Sequence, residues 1–309
     1  MTVVVGVLNK KGVAIAADSA TTIFENGQVV KIVNSGNKML RLSDSVDVGV
    51  MIVNTAKILG MPWDVIIRWY RKKRGKEEFP TIEKIVEDFL IFVQDLIKDN
   101  SAERQESTEL VTELVFAGYG KDENYPVLIH KRIKGVSNRK LEVENDCSQI
   151  YTIKNENESE IQYYGQTDII ASLIGDVRKN ELIKEFCRKV SNIFHRKAEC
   201  LMEQGILNPD TIITMPDYFE KLLSAFDEHY SNREQWLESI KGYSLQEMAR
   251  LAENLVNATE LHRKIMFQQE SVGGLIDLAV ISKADGFQWL NRKSWYEPSR
   301  GGQYGKFGI

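Results

Sequence analysis

Cysteine is scarce in this chain, and its scarcity excludes a disulfide-stabilised fold. The 309 residues contain three cysteines, Cys147, Cys187 and Cys200, which are too few and too scattered for a disulfide framework. Their odd number fits a reducing compartment, so we expect a cytoplasmic protein. The four histidines lack the spacing of a metal site, and no metal ligand is predicted.

An excess of charge of one sign is also missing. Lys and Arg number 40 against 44 Asp and Glu, which gives a net charge of −4. This balance predicts neither nucleic acid nor an anionic membrane as a partner. The longest apolar runs are far shorter than a membrane span, and residues 2–8 lack the charged region and cleavage site of a signal peptide. We therefore expect a soluble protein without a membrane partner.

Strands dominate the first part of the chain. The whole chain is 43% hydrophobic, which allows a substantial core. Residues 2–8 and 13–18 are apolar runs that predict a buried hairpin. A second hairpin is predicted over 24–33, an alternating strand over 38–42, and a further strand over 46–53 in the same sheet as 38–42. The first strands are apolar on both faces, which is typical of a sheet covered on both sides.

Helices and strands then follow in separate groups. Helices are predicted after Pro62 and after Thr81, which could cap the second one. Strands return over 114–118, 127–133, 150–153 and 161–164, a helical pattern fills 167–267 with breaks near Pro209 and Pro216, and a final hairpin is predicted over 275–290. Such segregation favours an α+β fold with two packed sheets and helices outside. We expect one domain over 1–292, with a helical elaboration at about 180–268, and an irregular tail over 293–309.

Four segments carry a resemblance to a known family. Thr2 starts a buried strand, Ala-Ala-Asp-Ser at 16–19 closes the second, and Asn-Lys-Met-Leu-Arg-Leu at 37–42 begins another. Near the C-terminus, a Gly-Gly pair at 273–274 precedes an apolar strand. On these segments the chain resembles the proteasome β-type subunits, including bacterial proteasome-like subunits, among the N-terminal-nucleophile hydrolases. The resemblance implies a four-layer αββα sandwich with an enlarged helical region.

The resemblance also implies catalytic residues. Carried over by position, the nucleophile is Thr2, which becomes N-terminal when Met1 is removed, and its partners are Asp18 and Lys38. Lys31 competes with Lys38, but a strand-like segment follows Lys38 directly, as in the family. A free α-amine, with a pKa of about 7.7–8.0, can take the hydroxyl proton, and a buried lysine would favour the alkoxide.

Substrate contacts are implied for three further residues. Thr22 matches a position whose backbone lines the substrate, and the N–H donor for the oxyanion would lie near Val53 or Asn54. The accessory residues depart from the family: Gln269 and Val272 replace its aspartate and serine, residues 164–166 (Tyr-Gly-Gln) replace a serine region, and Val53 replaces a glycine. Glu270 or Ser271 could take over part of the accessory role.

The function that follows is an N-terminal-threonine hydrolase of peptide or amide bonds, acting without a metal or organic cofactor. Two alternatives stay open: a catalytically silent assembly protein, and a small-molecule amidase or acylase. The resemblance implies self-association into a ring or spiral homo-oligomer. It also allows an ATP-dependent unfoldase as a partner that delivers protein substrates.

Overall fold

The computed structural model describes residues 2–25, 28–33, 36–100, 111–176, 180–206, 215–230, 232–265 and 272–293. Within them the fold is mixed α/β, with seven helices and antiparallel sheets. No helix in this part of the chain is long and apolar enough to cross a lipid bilayer.

The first large sheet contains the strand that follows Thr2. Its five strands are β1 (Val3–Asn9), β2 (Gly12–Ala17), β12 (Ser159–Gly165), β13 (Asp277–Ser282) and β14 (Gly286–Asn291). Their order is β12-β1-β2-β13-β14, so both termini of the described chain contribute to one sheet. Every residue of β1 and β2 is buried, as the apolar runs predict. The predicted hairpins over 2–18 and 275–290 are therefore confirmed.

The second large sheet has the order β11-β10-β9-β6-β5. Its strands are β5 (Met39–Arg41), β6 (Val48–Asn54), β9 (Thr112–Gly118), β10 (Val127–Ser137) and β11 (Lys140–Thr152). Two small hairpins accompany it: β3 (Thr21–Glu25) with β4 (Gln28–Val33), and β7 (Lys57–Ile58) with β8 (Met61–Pro62). Strand β11 is much longer than the predicted 150–153, because its first half is polar and is held by pairing with β10.

The helices are α1 (Trp63–Arg74), α2 (Ile82–Asn100), α3 (Asp168–Ile174), α4 (Glu181–Glu203), α5 (Met215–Tyr230), α6 (Arg233–Gly242) and α7 (Leu245–Ile265). Thr81 caps α2 as predicted, because its hydroxyl accepts a hydrogen bond of 3.4 Å from the Lys84 N–H. Of the two predicted breaks, Pro216 lies in the first turn of α5 and Pro209 lies outside the described residues.

Each large sheet contributes to two apolar clusters. One cluster joins the two sheets and includes Val4 and Ile15 from the first, and Met51 and Leu128 from the second. On its other face the first sheet shares a cluster with α3, α6 and α7, and the second sheet shares one with α1 and α2. Helices α4 and α5 pack on each other through a separate small cluster around Cys187. This double burial explains why β1 and β2 have no polar face.

Candidate functional site

Asp18, directly after β2, is the most densely hydrogen-bonded side chain of the predicted site. It is fully buried, and its Oδ1 accepts bonds from the Val3 N–H at 3.0 Å and from the Lys38 ammonium at 2.8 Å. Its Oδ2 accepts the N–H groups of Ala20 at 3.1 Å and Gly273 at 3.3 Å. Hydrogen bonds of this kind stabilise the ionised carboxylate inside a protein.

Lys38 immediately precedes β5 and is 7% exposed. The Lys38 side chain contacts Asp18. The side chain of Lys31, the other candidate, lies outside the described part of the structure. Burial lowers the pKa of Lys38 below that of a solvated lysine, the charge of Asp18 opposes this change, and Lys293 adds to it. Lys293 forms its own buried ion pair with Asp277, at 2.9 Å. The ammonium therefore lies in a poorly solvated site where its charge has a large electrostatic effect.

Thr2 is 3% exposed and lies at the start of β1. Its carbonyl accepts a hydrogen bond of 2.8 Å from the Gln166 N–H, and the following N–H, of Val3, is bound to Asp18. Gly165 pairs with Val3 at φ +88°, and a Cβ there would overlap the Thr2 carbonyl. A glycine at this position therefore lets β12 approach the Thr2 backbone closely. Met1 lies outside the described residues.

Val53 and Asn54 end strand β6. Val53 is buried in the cluster between the sheets, and its Cγ1 would lie 3.4 Å from a Cβ built on Gly165, beside Thr2. Asn54 is exposed and has φ +67°, a left-handed conformation that asparagine adopts more readily than most residues. The structure thus brings Thr2, Val53 and Asn54 to one end of the two sheets.

Thr22 belongs to β3, where it pairs with Ile32. Its side chain is outside the description, so its predicted role at the substrate stays a prediction. Gln269, Glu270 and Ser271 also lie outside the described residues. Val272 is buried in the cluster under the first sheet, and the next residue, Gly273, donates its N–H to Asp18. The Gly-Gly turn therefore does more than allow close packing.

A polar cluster beside the site was not predicted. The Asn54 Nδ2 donates to Glu113 Oε1 at 3.0 Å, and His130 Nε2 lies 3.0 Å from Glu113 Oε2. The His130 ring stacks on Tyr164 with 4.4 Å between ring centroids. The histidine spacing in the sequence predicted no contact for His130. No sequence signal singles out Glu113 or His130, because β9 and β10 each contain other polar or charged residues.

Within the described residues, no cluster of three or more histidine, cysteine or acidic side chains could hold a metal ion. The groups that meet at the peptide following Thr2 are a carboxylate, an ammonium and backbone N–H donors. Such a set can stabilise a nucleophilic oxygen and an anionic intermediate.

No family model matches the chain, and no curated protein matches it. Among solved structures, similar ones include two of Anbu from Hyphomicrobium sp. strain MC1, one of them a mutant. The mutant is 12% identical to this chain with a TM-score of 0.44, and the match covers 95% of this chain and 86% of the mutant's chain. The other is 13% identical to this chain with a TM-score of 0.42, and the match covers 94% of this chain and 86% of the other.

These comparisons correct one prediction. Membership of the proteasome β-type family, inferred from the segments around 2, 18, 38 and 273, is wrong as an assignment, because no family model matches the chain and the similar structures are only 12–13% identical with TM-scores of 0.42–0.44. The physical reason is that short strand and turn segments recur in many folds and do not specify a family. The contacts of Asp18 and Lys38 are observed independently of any relative.

Proposed function

We propose that this protein is an N-terminal-threonine hydrolase that cleaves peptide or amide bonds with Thr2 as the nucleophile. One observation carries the proposal: a single oxygen of the buried Asp18 carboxylate accepts both the Val3 N–H and the Lys38 ammonium. The shared acceptor holds a charged lysine next to the peptide that follows Thr2. The finer fold that accompanies this proposal is a four-layer αββα sandwich, which the three apolar clusters support.

The chemistry begins with removal of Met1, which creates the α-amine of Thr2. That amine takes the proton of the Thr2 hydroxyl, and the oxygen forms a bond to the substrate carbonyl carbon. Collapse of the tetrahedral intermediate breaks the C–N bond, the amine product leaves with the proton, and an ester remains on Thr2. Water then attacks the ester, which releases the acid and restores the hydroxyl. Lys38 stabilises the developing alkoxide through its charge, and Asp18 keeps that charge in place.

The oxyanion needs an N–H donor, and strand alternation favours Asn54 over Val53. The Ile52 N–H donates to the Lys38 carbonyl on the β5 side, and the Thr55 N–H donates to Val111 on the β9 side. Successive N–H groups of a strand point to opposite edges, so the Asn54 N–H is directed to the same side as that of Ile52. That side is where β5 begins, next to Lys38, which is a suitable place for the oxyanion.

The test combines the intact mass of the purified protein with labelling by a peptide epoxyketone, an electrophile directed at N-terminal threonine. The proposal expects loss of Met1 and one adduct on Thr2. Thr2→Ala should take no label and lose turnover by at least about 10³-fold. Thr152→Ala, at an exposed threonine of β11, is the matched control and should behave like the wild type.

Each result separates the alternatives. A retained Met1 without any adduct overturns the catalytic proposal and favours a silent assembly protein. A labelled protein that hydrolyses small amides and not peptides is an amidase instead of a peptidase. Turnover that persists in Thr2→Ala rules out Thr2 as the nucleophile. Self-association and an unfoldase partner stay predictions. Sedimentation velocity of the protein alone checks the first, and the same measurement with the unfoldase added checks the second.

A further inference from the structure

The backbone of Asn54 adopts an uncommon conformation. At φ +67° it lies in the left-handed region, which residues other than glycine rarely adopt, although asparagine does so more readily than most. Strand β6 ends at this residue, so the dihedral angles here set the direction of the chain that leaves the sheet. Such a conformation persists only where surrounding contacts hold it.

Glu113 supplies one of these contacts. It lies opposite Val53 in the ladder between β6 and β9, and its Oε1 accepts the Asn54 Nδ2 at 3.0 Å. The Glu113 side chain is 17% exposed, whereas Asn54 is exposed, so the bond joins a largely buried carboxylate to a solvent-facing amide. A side chain fixed by a neighbouring strand therefore restrains the side chain of Asn54, and with it the backbone.

His130 in turn fixes Glu113. An ionised carboxylate can only accept, so the His130 Nε2–H donates to Glu113 Oε2, at 3.0 Å. The imidazole is 8% exposed and is stacked on Tyr164, whose partner across the ladder is Val4 of β1. The contacts run without a gap from the strand of Thr2, through Tyr164 and His130, to Glu113 and Asn54.

The chain beyond Asn54 is anchored separately. The Thr112 hydroxyl donates to the Thr55 carbonyl at 3.2 Å and accepts the Trp63 indole N–H at 3.1 Å. The segment is thus held on its far side by Thr112, whereas the Asn54 side chain is bound to Glu113. Loss of Glu113 would release Asn54 while leaving Thr55 in place.

We propose that Glu113, held by His130, is a positioning residue that holds the Asn54 side chain at the end of β6 and so keeps the peptide between Val53 and Asn54, with the Asn54 N–H, directed at the substrate oxyanion. The inference rests on the proposed hydrolase function. Glu113 acts through Asn54 and contacts no reacting atom. Its loss should therefore lower kcat while leaving KM almost unchanged, because the oxyanion forms only after the substrate has bound.

A double-mutant cycle tests the proposal. Glu113→Ala should reduce kcat by roughly ten- to hundredfold, less than the 10²–10³-fold typical of losing an oxyanion donor outright. Glycine keeps the positive φ but has no side chain for Glu113 to hold, so in an Asn54→Gly background the same substitution should change kcat by less than about threefold. Glu113→Gln keeps an acceptor for Asn54 and should retain most of the activity. Glu144→Ala, a carboxylate of the same sheet that is 22% exposed and paired with Lys134, is the matched control.

The outcomes are distinguishable from failure of the proposed function. If the wild type neither labels at Thr2 nor turns over substrate, the hydrolase proposal fails. Two results with an active wild type would refute the positioning role. In the first, Glu113→Ala has the same kcat as the wild type. In the second, Glu113→Ala lowers kcat by the same factor with and without Asn54→Gly. Should Glu113→Ala not fold, as judged by thermal melting, His130→Asn takes its place, and the same cancellation by Asn54→Gly is required.

Discussion

The Lys38 ammonium and the Asp18 carboxylate form an ion pair of 2.8 Å between side chains that are only 8% and 1% exposed. The same carboxylate oxygen accepts the Val3 N–H, so the pair joins the start of β5 to the start of β1. Burial of either charge alone is costly, because desolvation of an unpaired ion in a protein interior amounts to several kcal/mol. The two charges are therefore expected to depend strongly on each other.

Removing both charges of this ion pair should cost less stability than the two single losses added together. Asp18→Asn leaves the Lys38 ammonium buried without its carboxylate, and we expect the free energy of unfolding to fall by about 3–5 kcal/mol. In the double variant with Lys38→Met, the loss should be smaller than the sum of the single losses by about 1–3 kcal/mol. Urea denaturation of the four proteins measures this coupling energy.

An exposed ion pair provides the control for that cycle. Lys84 and Glu87 on α2 are 2.7 Å apart, with both side chains 60% exposed. Glu87→Gln should change the free energy of unfolding by less than about 1 kcal/mol, because water screens the pair. Additive losses at Asp18 and Lys38 would mean that the two charges do not stabilise each other.

The stability of the protein should also depend on pH through Lys38. Burial lowers its pKa below 10.5, the value of a solvated lysine. Between the lowered pKa and 10.5 the unfolded chain binds more protons than the folded chain, so the free energy of unfolding due to this group rises with pH. Lys38→Met removes that rise. The wild type should therefore gain stability relative to this variant as pH increases from about 7 to about 10.

Lys84→Met is the control for the titration. Its hydrogen bond with Glu87 raises the pKa of Lys84 above 10.5, so its proton stays bound in both states below that pH. The difference in unfolding free energy between the wild type and Lys84→Met should thus stay constant over the same range. Parallel curves for the wild type and Lys38→Met would contradict a lowered pKa for Lys38.

Much of this site could be predicted from the sequence because its parts are local. The apolar runs of β1 and β2 predict a buried hairpin, and a hairpin fixes the relation of Thr2 to Asp18 directly. The choice of Lys38 followed from the strand that begins just after it. The contact of Gly273 with Asp18 could not be derived in this way, because it depends on the pairing of β13 with β2, far apart in sequence.

The cluster of Glu113 and His130 shows where sequence reasoning stops. Alternation alone places both on the inner face of the second sheet, but each lies in a strand with other polar residues and neither stands out. Their contact depends on the register of β9 against β10, where Glu113 lies opposite Arg132 and His130 opposite Val115. Register is set by packing of whole strands, and nothing near either residue encodes it.

Gly165 offers a direct test of how closely β12 must approach Thr2. An alanine Cβ there would lie 2.8 Å from the Thr2 carbonyl carbon and overlap its oxygen, at φ +88°. Strain at positive φ costs about 1–2 kcal/mol, and overpacking adds about 1–3 kcal/mol. Gly205→Ala is the matched control, because φ is +71° there but no atom lies within 4 Å of the added Cβ. Gly165→Ala should therefore lower the free energy of unfolding by at least about 1 kcal/mol more than Gly205→Ala.

The same two variants separate the effect on the Thr2 site from the effect on stability. Relief of the overlap requires Thr2 to move away from Gly165, so Gly165→Ala should slow epoxyketone labelling of Thr2 even at a temperature where the protein is fully folded. Gly205 lies just past α4 and a Cβ there meets no atom within 4 Å, so its alanine variant should label at the wild-type rate. Equal labelling of both variants would show that the position of the Thr2 backbone tolerates displacement, and the close approach of β12 would then be a packing feature alone.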